Sequence, residues 1–451
     1  MEEIGEIKES TTSSFVFRAK EDVRKHDYVR VGDILAQIWE IKQQSNGTFV
    51  YANIIGASNR RYMPRSPFKI GSPVYRAEEE FAKKILGIER DGIYIGLLKD
   101  TRVKVFLSPD VLIQKHLCIL AKSGSGKSYV MGVVIEEFMK RDIPVVIIDP
   151  HGEYVSLRRP NLDKQELSFM RRFDVKPRGY AKQVYEFAPI CSKNRDAIPL
   201  YLDETNLSFQ DLLNLVPNAT PLQKGVLYEA CNSAMEKKFY LLKDILEGIQ
   251  HAKSNARWNL IPQIEQIISM KLFSVNYTPL NEIVKKGRCS IINLRGVPPY
   301  IQELLVAVLL TKIFEERKAG SLPPVLLVLE EAHRYAPERG QGKSFAGTII
   351  KTIASEGRKF GVGLAIVSQR AARVDKNVLS QCNAHITLKT TNPNDLKAIV
   401  ASVEGLDAKA ADEIQMLPVG TAIVAGLPLA APIFTEIRPR ETLHGGKLAQ
   451  L

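Results

Sequence analysis

The chain has 451 residues, about two to four domains at roughly 100–200 residues each, and its 45% hydrophobic and 25% charged content excludes a disordered, collagen-like or membrane-embedded polypeptide. Lys and Arg number 62 against 50 Asp and Glu, a net charge of +12 that fits a polyanionic partner and equally fits solubility alone. The five cysteines, Cys118, Cys191, Cys231, Cys289 and Cys382, form no CxxC pair and no zinc-like spacing, which predicts reduced thiols in a cytoplasmic protein.

Residues 1–20 alternate charges and hydroxyls without an apolar core and predict neither a secretory signal nor a membrane anchor. Short strand-like runs at 15–18, 28–31, 34–41, 48–55, 92–97 and 103–107, punctuated by Gly32, Gly47, Gly56 and Gly71, predict a small β-barrel over residues 1–107. One helical stretch at 77–86 interrupts them. From residue 108 the pattern changes to apolar strands alternating with helices, as in an α/β fold whose mostly parallel sheet carries helices on both faces. Its strands are predicted at 117–121, 144–149, 290–294, 325–329, 363–368 and 385–388, so the core spans 108–206 and 273–435. Residues 207–272 are rich in helix formers and predict a helical insertion with its own small core of Leu212, Leu215, Leu227, Met235, Leu241, Leu242, Ile245 and Ile249. The uncharged run 417–435 contains Pro418, Pro428, Pro432, Gly420 and Gly426, so it predicts two late strands joined by a turn and not a membrane-spanning helix. The polar tail, 436–451, is expected to be flexible or to lie on a neighbouring subunit.

The sharpest motif is Ala121-Lys122-Ser123-Gly124-Ser125-Gly126-Lys127-Ser128, placed after a predicted strand and opening a helix. This is the P-loop pattern in its required context. The backbone N–H groups of Ser123 to Tyr129 and the helix dipole suit the phosphates of ATP, Lys127 suits the β- and γ-phosphates, and Ser128 suits Mg²⁺. A second signature, residues 324–333, is an apolar strand ending in Glu330 and Glu331, where doubly wound sheets hold their ligands. Glu330 is expected to bind Mg²⁺ through water and Glu331 to orient the attacking water. Gln369 ends a third strand, placed to sense the γ-phosphate or hold that water. Upstream of it, Ser355-Glu356-Gly357-Arg358-Lys359-Phe360-Gly361 puts Arg358 between a helix and that strand. Two readings of Arg358 stay open: an arginine finger on a neighbouring subunit's ATP, or a solvated helix C-terminus. Two also stay open for Asp149-Pro150-His151-Gly152-Glu153-Tyr154, a capped turn or a set that brings Asp149 and Glu153 beside the nucleotide.

In this order, Gly-Ser-Gly-Lys-Ser, Asp-Pro-His-Gly-Glu-Tyr, Glu-Glu-Ala-His, Gly-Arg-Lys-Phe-Gly and Ser-Gln-Arg, the chain resembles the HerA-type hexameric ATPases, relatives of the FtsK DNA pumps. The resemblance implies a RecA-like P-loop NTPase core behind an N-terminal HAS-barrel, a homo-hexameric ring, and double-stranded DNA moved through its channel by hydrolysis of ATP with Mg²⁺. It further implies a NurA-type nuclease as partner and a place in DNA end resection and repair. Carried over by position, Lys127, Ser128, Asp149, Glu330, Glu331, Arg358 and Gln369 take the roles given above. The chain departs from the family at Ala121, which replaces the first P-loop glycine, and at Glu330, where many relatives carry Asp. A ring ATPase that moves protein or remodels a complex has the same motifs and is the rival reading. Basic clusters at Arg158-Arg159, at Arg171-Arg172 with Lys176 and Arg178, at Lys237-Lys238, and at Arg60, Arg61 and Arg65 are candidates for DNA or nuclease contact and equally for solvated faces.

Overall fold

The computed structural model describes residues 2–58, 64–192, 194, 196–216, 218–342, 344–426 and 428–445. Strands β1 (Glu3–Ser10), β2 (Ser14–Ala19), β3 (Tyr28–Val31), β4 (Ile34–Gln44), β5 (Gly47–Ala57) and β6 (Pro73–Arg76) close into a barrel in the order β1-β2-β5-β4-β3-β6. Alternation sets its inside: Phe15 and Phe17, Val29 and Val31, and Val50 and Ala52 are buried while their neighbours are not. The helix Glu79–Leu86 leads out of the barrel.

Two strands expected in the barrel lie elsewhere. β7 (Ile93–Leu98) and β8 (Lys104–Leu107) form one edge of a twelve-stranded sheet, because β7 pairs with a strand more than three hundred positions away. That sheet contains β9 (Leu117–Leu120), β10 (Val145–Asp149), β11 (Val184–Pro189), β12 (Ile198–Leu200), β15 (Cys289–Asn293), β16 (Val325–Leu329), β17 (Val362–Ser368), β18 (Ala384–Thr387), β19 (Thr421–Gly426) and β20 (Ile433–Ile437). Its order is β12-β11-β15-β10-β16-β17-β9-β18-β19-β20-β7-β8, parallel from β12 to β18 and antiparallel beyond. The contact that recruits β7 is close: a Cβ on Gly96 would sit 1.9 Å from the Glu436 carbonyl oxygen, so only glycine admits it. β9 and β16 are apolar throughout and β10 and β17 up to their last residues, Asp149 and Ser368, and all four are buried along their length, which is why they read as hydrophobic runs.

The insertion does form helices, at Phe209–Leu215, Pro221–Met235, Leu242–His251 and Arg257–Ser269, and the short parallel pair β13 (Leu202–Asp203) and β14 (Phe273–Ser274) closes its base. It has no separate core. Leu212, Leu215, Leu227, Ile245 and Ile249 are continuous with Leu304, Leu305 and Leu309 of the core helix Pro299–Lys318, whereas Met235 is exposed. Burial against that helix, reinforced by Lys312–Asp211 at 3.1 Å, offers more apolar area than four short helices could bury among themselves.

The described part of the tail, residues 436–445, is the largest departure from the sequence reading; residues 446–451 lie outside the described residues. Residues 438–442 lie in cis against the P-loop helix Lys127–Lys140, with Arg438 and Arg440 among the most deeply buried side chains. That helix is apolar nearly all round yet carries buried Glu136 and Glu137, which need partners. Glu136 meets Arg438 at 3.0 Å and accepts from the Glu441 N–H, the Thr442 N–H and the Thr442 hydroxyl at 3.1, 2.9 and 2.7 Å. Glu137 meets Arg438, Lys140 and Arg141 at 3.1, 2.7 and 3.0 Å. Arg440 lies across the helix at Gly132, where a Cβ would come within 2.5 Å of its Cζ. Gly132→Ala is therefore expected to lower the melting temperature. Overpacking against a guanidinium tied to Thr442 costs about 1–3 kcal/mol, which exceeds the about 1 kcal/mol that alanine gains in a helix. Among the described residues no helix is long and apolar enough to cross a membrane.

Candidate nucleotide site

The C-terminal ends of β9, β10, β16 and β17 open into a cleft of about 1340 Å³ lined by Ser123 to Val130, Asp149, Glu330, Glu331 and Gln369. The loop that enters it is shaped for an anion. Gly124 and Gly126 take φ of +74° and +95°, and a Cβ on Gly124 would meet nothing within 4 Å, the open space a phosphate needs. Ala121 is buried at the end of the strand segment and takes no positive φ, so the glycine it replaces is not required for this loop's conformation. The Ser128 hydroxyl has no hydrogen bond among the described residues.

Lys127 is nearly buried, and its Nζ lies 3.8 Å from Glu331 Oε1. Glu331 itself has φ +51°, a left-handed conformation that a non-glycine residue holds at a cost, and such strain gathers at functional sites. Gln369 Nε2 donates to Glu331 Oε2 at 3.3 Å. The cleft thus brings together Lys127, Glu331 and Gln369, three residues from three separate motifs.

The Asp-Pro-His-Gly-Glu-Tyr sequence is a capped turn, and its Asp149 and Glu153 line the cleft. Asp149 lines the cleft, but its Oδ1 accepts from the N–H groups of His151 and Gly152 at 3.1 and 2.8 Å and its Oδ2 from that of Tyr154 at 3.1 Å. Its carboxylate therefore holds the turn. Burial pushes Asp149 up to about 6 against the pull of those three N–H groups. The turn aims the Tyr154 hydroxyl at Glu330 Oε1, to which it donates a hydrogen bond. Burial also pushes Glu330 up to about 8, opposed by that bond and by Lys127. Glu330 and Ser128 both line the cleft, a buried carboxyl and an unpartnered hydroxyl, oxygen donors of the kind that suit a divalent cation bound with phosphate. Tyr154 was legible only as the last residue of a turn motif, and its partnership with Glu330 follows from the adjacency of β10 and β16.

Tyr129 packs its ring along the cleft, donates to Glu166 Oε2 at 2.6 Å and accepts from the Arg440 N–H at 2.9 Å, so the tail also fixes this P-loop neighbour. Arg358 is not in the cleft. It is exposed near the end of the helix Gly347–Phe360, at the start of β17, whereas Gln369 follows that strand's other end. Seven strand residues separate the two edges, about 23 Å, so Arg358 does not reach this cleft. Of the basic clusters, Arg172 pairs with Glu436 at 2.7 Å, Lys237 pairs with Asp244, and Arg178 lies over the Tyr180 ring. Arg60 and Arg61 lie outside the described residues.

The family model for the central domain of the helicase HerA matches residues 93–313, a span that begins at β7. The DNA double-strand break repair helicase HerA of Saccharolobus solfataricus is 31% identical over 89% of this chain and 80% of its own length. The probable DNA double-strand break repair helicase HerA of Methanocaldococcus jannaschii is 28% identical over 98% of this chain and 96% of its own. Among solved structures, VirB4 of Thermoanaerobacter pseudethanolicus superposes with a TM-score of 0.57 at 15% identity, covering 77% of this chain and 96% of that one. The plasmid coupling protein TrwB in complex with ADP and Mg²⁺ gives 0.54 at 13% identity, covering 82% and 94%. These likenesses show a RecA-like P-loop fold, and the sequence identity over most of both chains goes further: the chain is a P-loop ATPase that belongs to the HerA family of helicases.

Proposed function

We propose that the chain is a cytoplasmic DNA motor, a ring of six copies that moves along double-stranded DNA by hydrolysing ATP and acts in DNA end resection with a NurA-type nuclease. The observation that carries this reading is the division of the catalytic groups. Lys127, Glu331 and Gln369 meet in one cleft, while Arg358 stands exposed at the opposite edge of the same sheet with no hydrogen bond or ion pair to the described residues. Such a chain completes its site only beside another copy. Similarity to DNA double-strand break repair helicases and the net charge of +12 favour DNA over a protein substrate.

In this reading the backbone of Ser123 to Tyr129 cradles the phosphates and Lys127 neutralises the β- and γ-oxygens. Ser128 and, through water, Glu330 would hold Mg²⁺, which would supply charge neutralisation on the phosphates when bound. Glu331 orients the attacking water, Gln369 and Lys127 hold Glu331, and Tyr154 and Asp149 keep Glu330 in place. Arg358 of one subunit stabilises the charge developing on its neighbour's nucleotide, worth roughly 10³- to 10⁵-fold in rate.

Lys127→Ala and Arg358→Ala are each expected to abolish turnover alone, and mixed rings of the two are expected to regain part of it. No recovery despite mass-confirmed mixing would assign Arg358 a structural role. The motor reading as a whole is tested by ATP-dependent displacement of a roadblock from end-labelled duplex DNA. Displacement that needs hydrolysis supports it, and ATP turnover with an undisturbed roadblock favours the protein-remodelling alternative.

A further inference from the structure

Two loops follow the strands that carry Glu331 and Gln369, and they are tied together. The loop after β16 and the loop after β17 share a bridge between Pro337 and Val374, the Glu338 N–H donates to the Arg373 carbonyl at 2.8 Å, and the Asp375 N–H donates to the Ala336 carbonyl at 2.9 Å. On this joined surface stand Arg334, Arg370 and Arg373. Arg370 and Arg373 are exposed, Arg334 is half-buried, and none of the three side chains forms a hydrogen bond or ion pair among the described residues. Elsewhere Arg76, Arg141, Arg172 and Arg288 each hold a carboxylate. The nearby Glu338 pairs with Lys376 at 3.5 Å and so leaves Arg370 and Arg373 free.

The arginine turn is held by hydrogen bonds of its own backbone. The Arg370 N–H donates to Ser368 Oγ at 3.0 Å, and the Ala372 N–H donates to the buried Asp395 carboxylate at 2.9 Å. Ser368 Oγ in turn lies 3.1 Å from His333 Nδ1, which is 3.4 Å from Glu331 Oε2. A continuous chain of contacts therefore runs from Arg370 through Ser368 and His333 to Glu331. The charges of Arg334, Arg373 and Arg370 also reach His333; burial is the larger cause of its lowered pKa, and they add to it.

We infer that Arg334, Arg370 and Arg373 form a phosphate site for the nucleic-acid backbone, and that Ser368 and His333 link its occupancy to the position of Glu331. Planar guanidinium forks match phosphate oxygens two at a time, and arginines left unpaired on an ordered turn keep that capacity free. A nucleic-acid strand offers such oxygens in a row, which suits cations spaced along one surface better than the scattered carboxylates of a protein. The link to Glu331 means that DNA regulates the same carboxylate that orients water, and the inference rests on the DNA-motor reading above. His333 and Ser368 are positioning residues here.

The test measures binding of a fluorescent duplex between about 50 and 200 mM salt, alongside the ratio of ATP turnover with and without duplex. Removing one arginine–phosphate pair lowers the salt slope by about 0.9. The Arg370→Ala/Arg373→Ala variant is expected to lose about two units of slope, and Arg370→Lys/Arg373→Lys to keep them. His333→Ala is expected to bind duplex with the parental slope but to lose the stimulation, and His333→Asn, whose amide can stand in for Nδ1, to recover most of it. An unchanged slope in the double alanine variant, loss only of binding to a protein partner, or full stimulation in His333→Ala would each overturn the inference while the parent still responds to DNA. A parent that neither binds duplex nor responds to it overturns the motor reading as well.

Discussion

Glu331→Gln is expected to bind ATP as the parent does and to hydrolyse it about 10²- to 10⁴-fold more slowly. The amide has the shape of the carboxylate, so the contacts with Gln369 and His333 have room to persist, and the P-loop that binds the phosphates is untouched. What disappears is the negative oxygen that would accept a proton from water. Equilibrium binding of a fluorescent ATP analogue beside single-turnover hydrolysis separates the two effects. Loss of binding together with hydrolysis would mean that Glu331 organises the loop through Lys127, 3.8 Å away, and is not the water-orienting group.

Arg438→Ala is expected to destabilise the ATPase core by about 3–5 kcal/mol, the usual cost of removing one partner from a buried ion pair. Arg438 is fully buried and meets both Glu136 and Glu137, so its removal takes the nearest cation from buried Glu136, leaving Arg440 at 3.7 Å, and leaves Glu137 to Lys140 and Arg141. Chemical denaturation read at several pH values checks this. Burial raises the pKa of Glu137, but Arg438 and Lys140 outweigh it and hold the group below its ordinary 4.5. A carboxylate with a depressed folded pKa stabilises above the unfolded value, and that stability is lost as pH falls through the folded one. The parent should therefore weaken below about pH 4.5, and the Arg438→Ala variant should lose much of that acid dependence. A variant as stable as the parent would show that the tail does not anchor the P-loop helix.

The cleft was legible in the sequence because its parts are local. A P-loop needs eight consecutive residues, and the acidic strand end and Gln369 each follow one apolar run, so the meeting of Lys127, Glu331 and Gln369 was readable from the rule that parallel strands deliver ligands at their C-terminal edge. The features that escaped depend on distant partners. β7 has the same composition as a barrel strand, and only Glu436, far along the chain, explains Gly96. Arg438 and Arg440 sit in a polar stretch that reads as surface until Glu136 and Glu137 are seen beneath it. His333 reads as an ordinary structural histidine, and its place between Ser368 and Glu331 required the adjacency of β16 and β17. Arg358 was ambiguous in sequence because a finger and a helix end have the same local pattern; the sheet's direction removed only the possibility that it serves its own subunit.

The most direct measurement is the rate of ATP turnover by the intact chain with and without double-stranded DNA at low salt, repeated as salt is raised. A DNA motor predicts turnover that rises with duplex and a stimulation that fades as salt screens the phosphate contacts. Turnover that is the same with and without duplex at every salt concentration would contradict the account and leave the nucleotide cleft driving some other work.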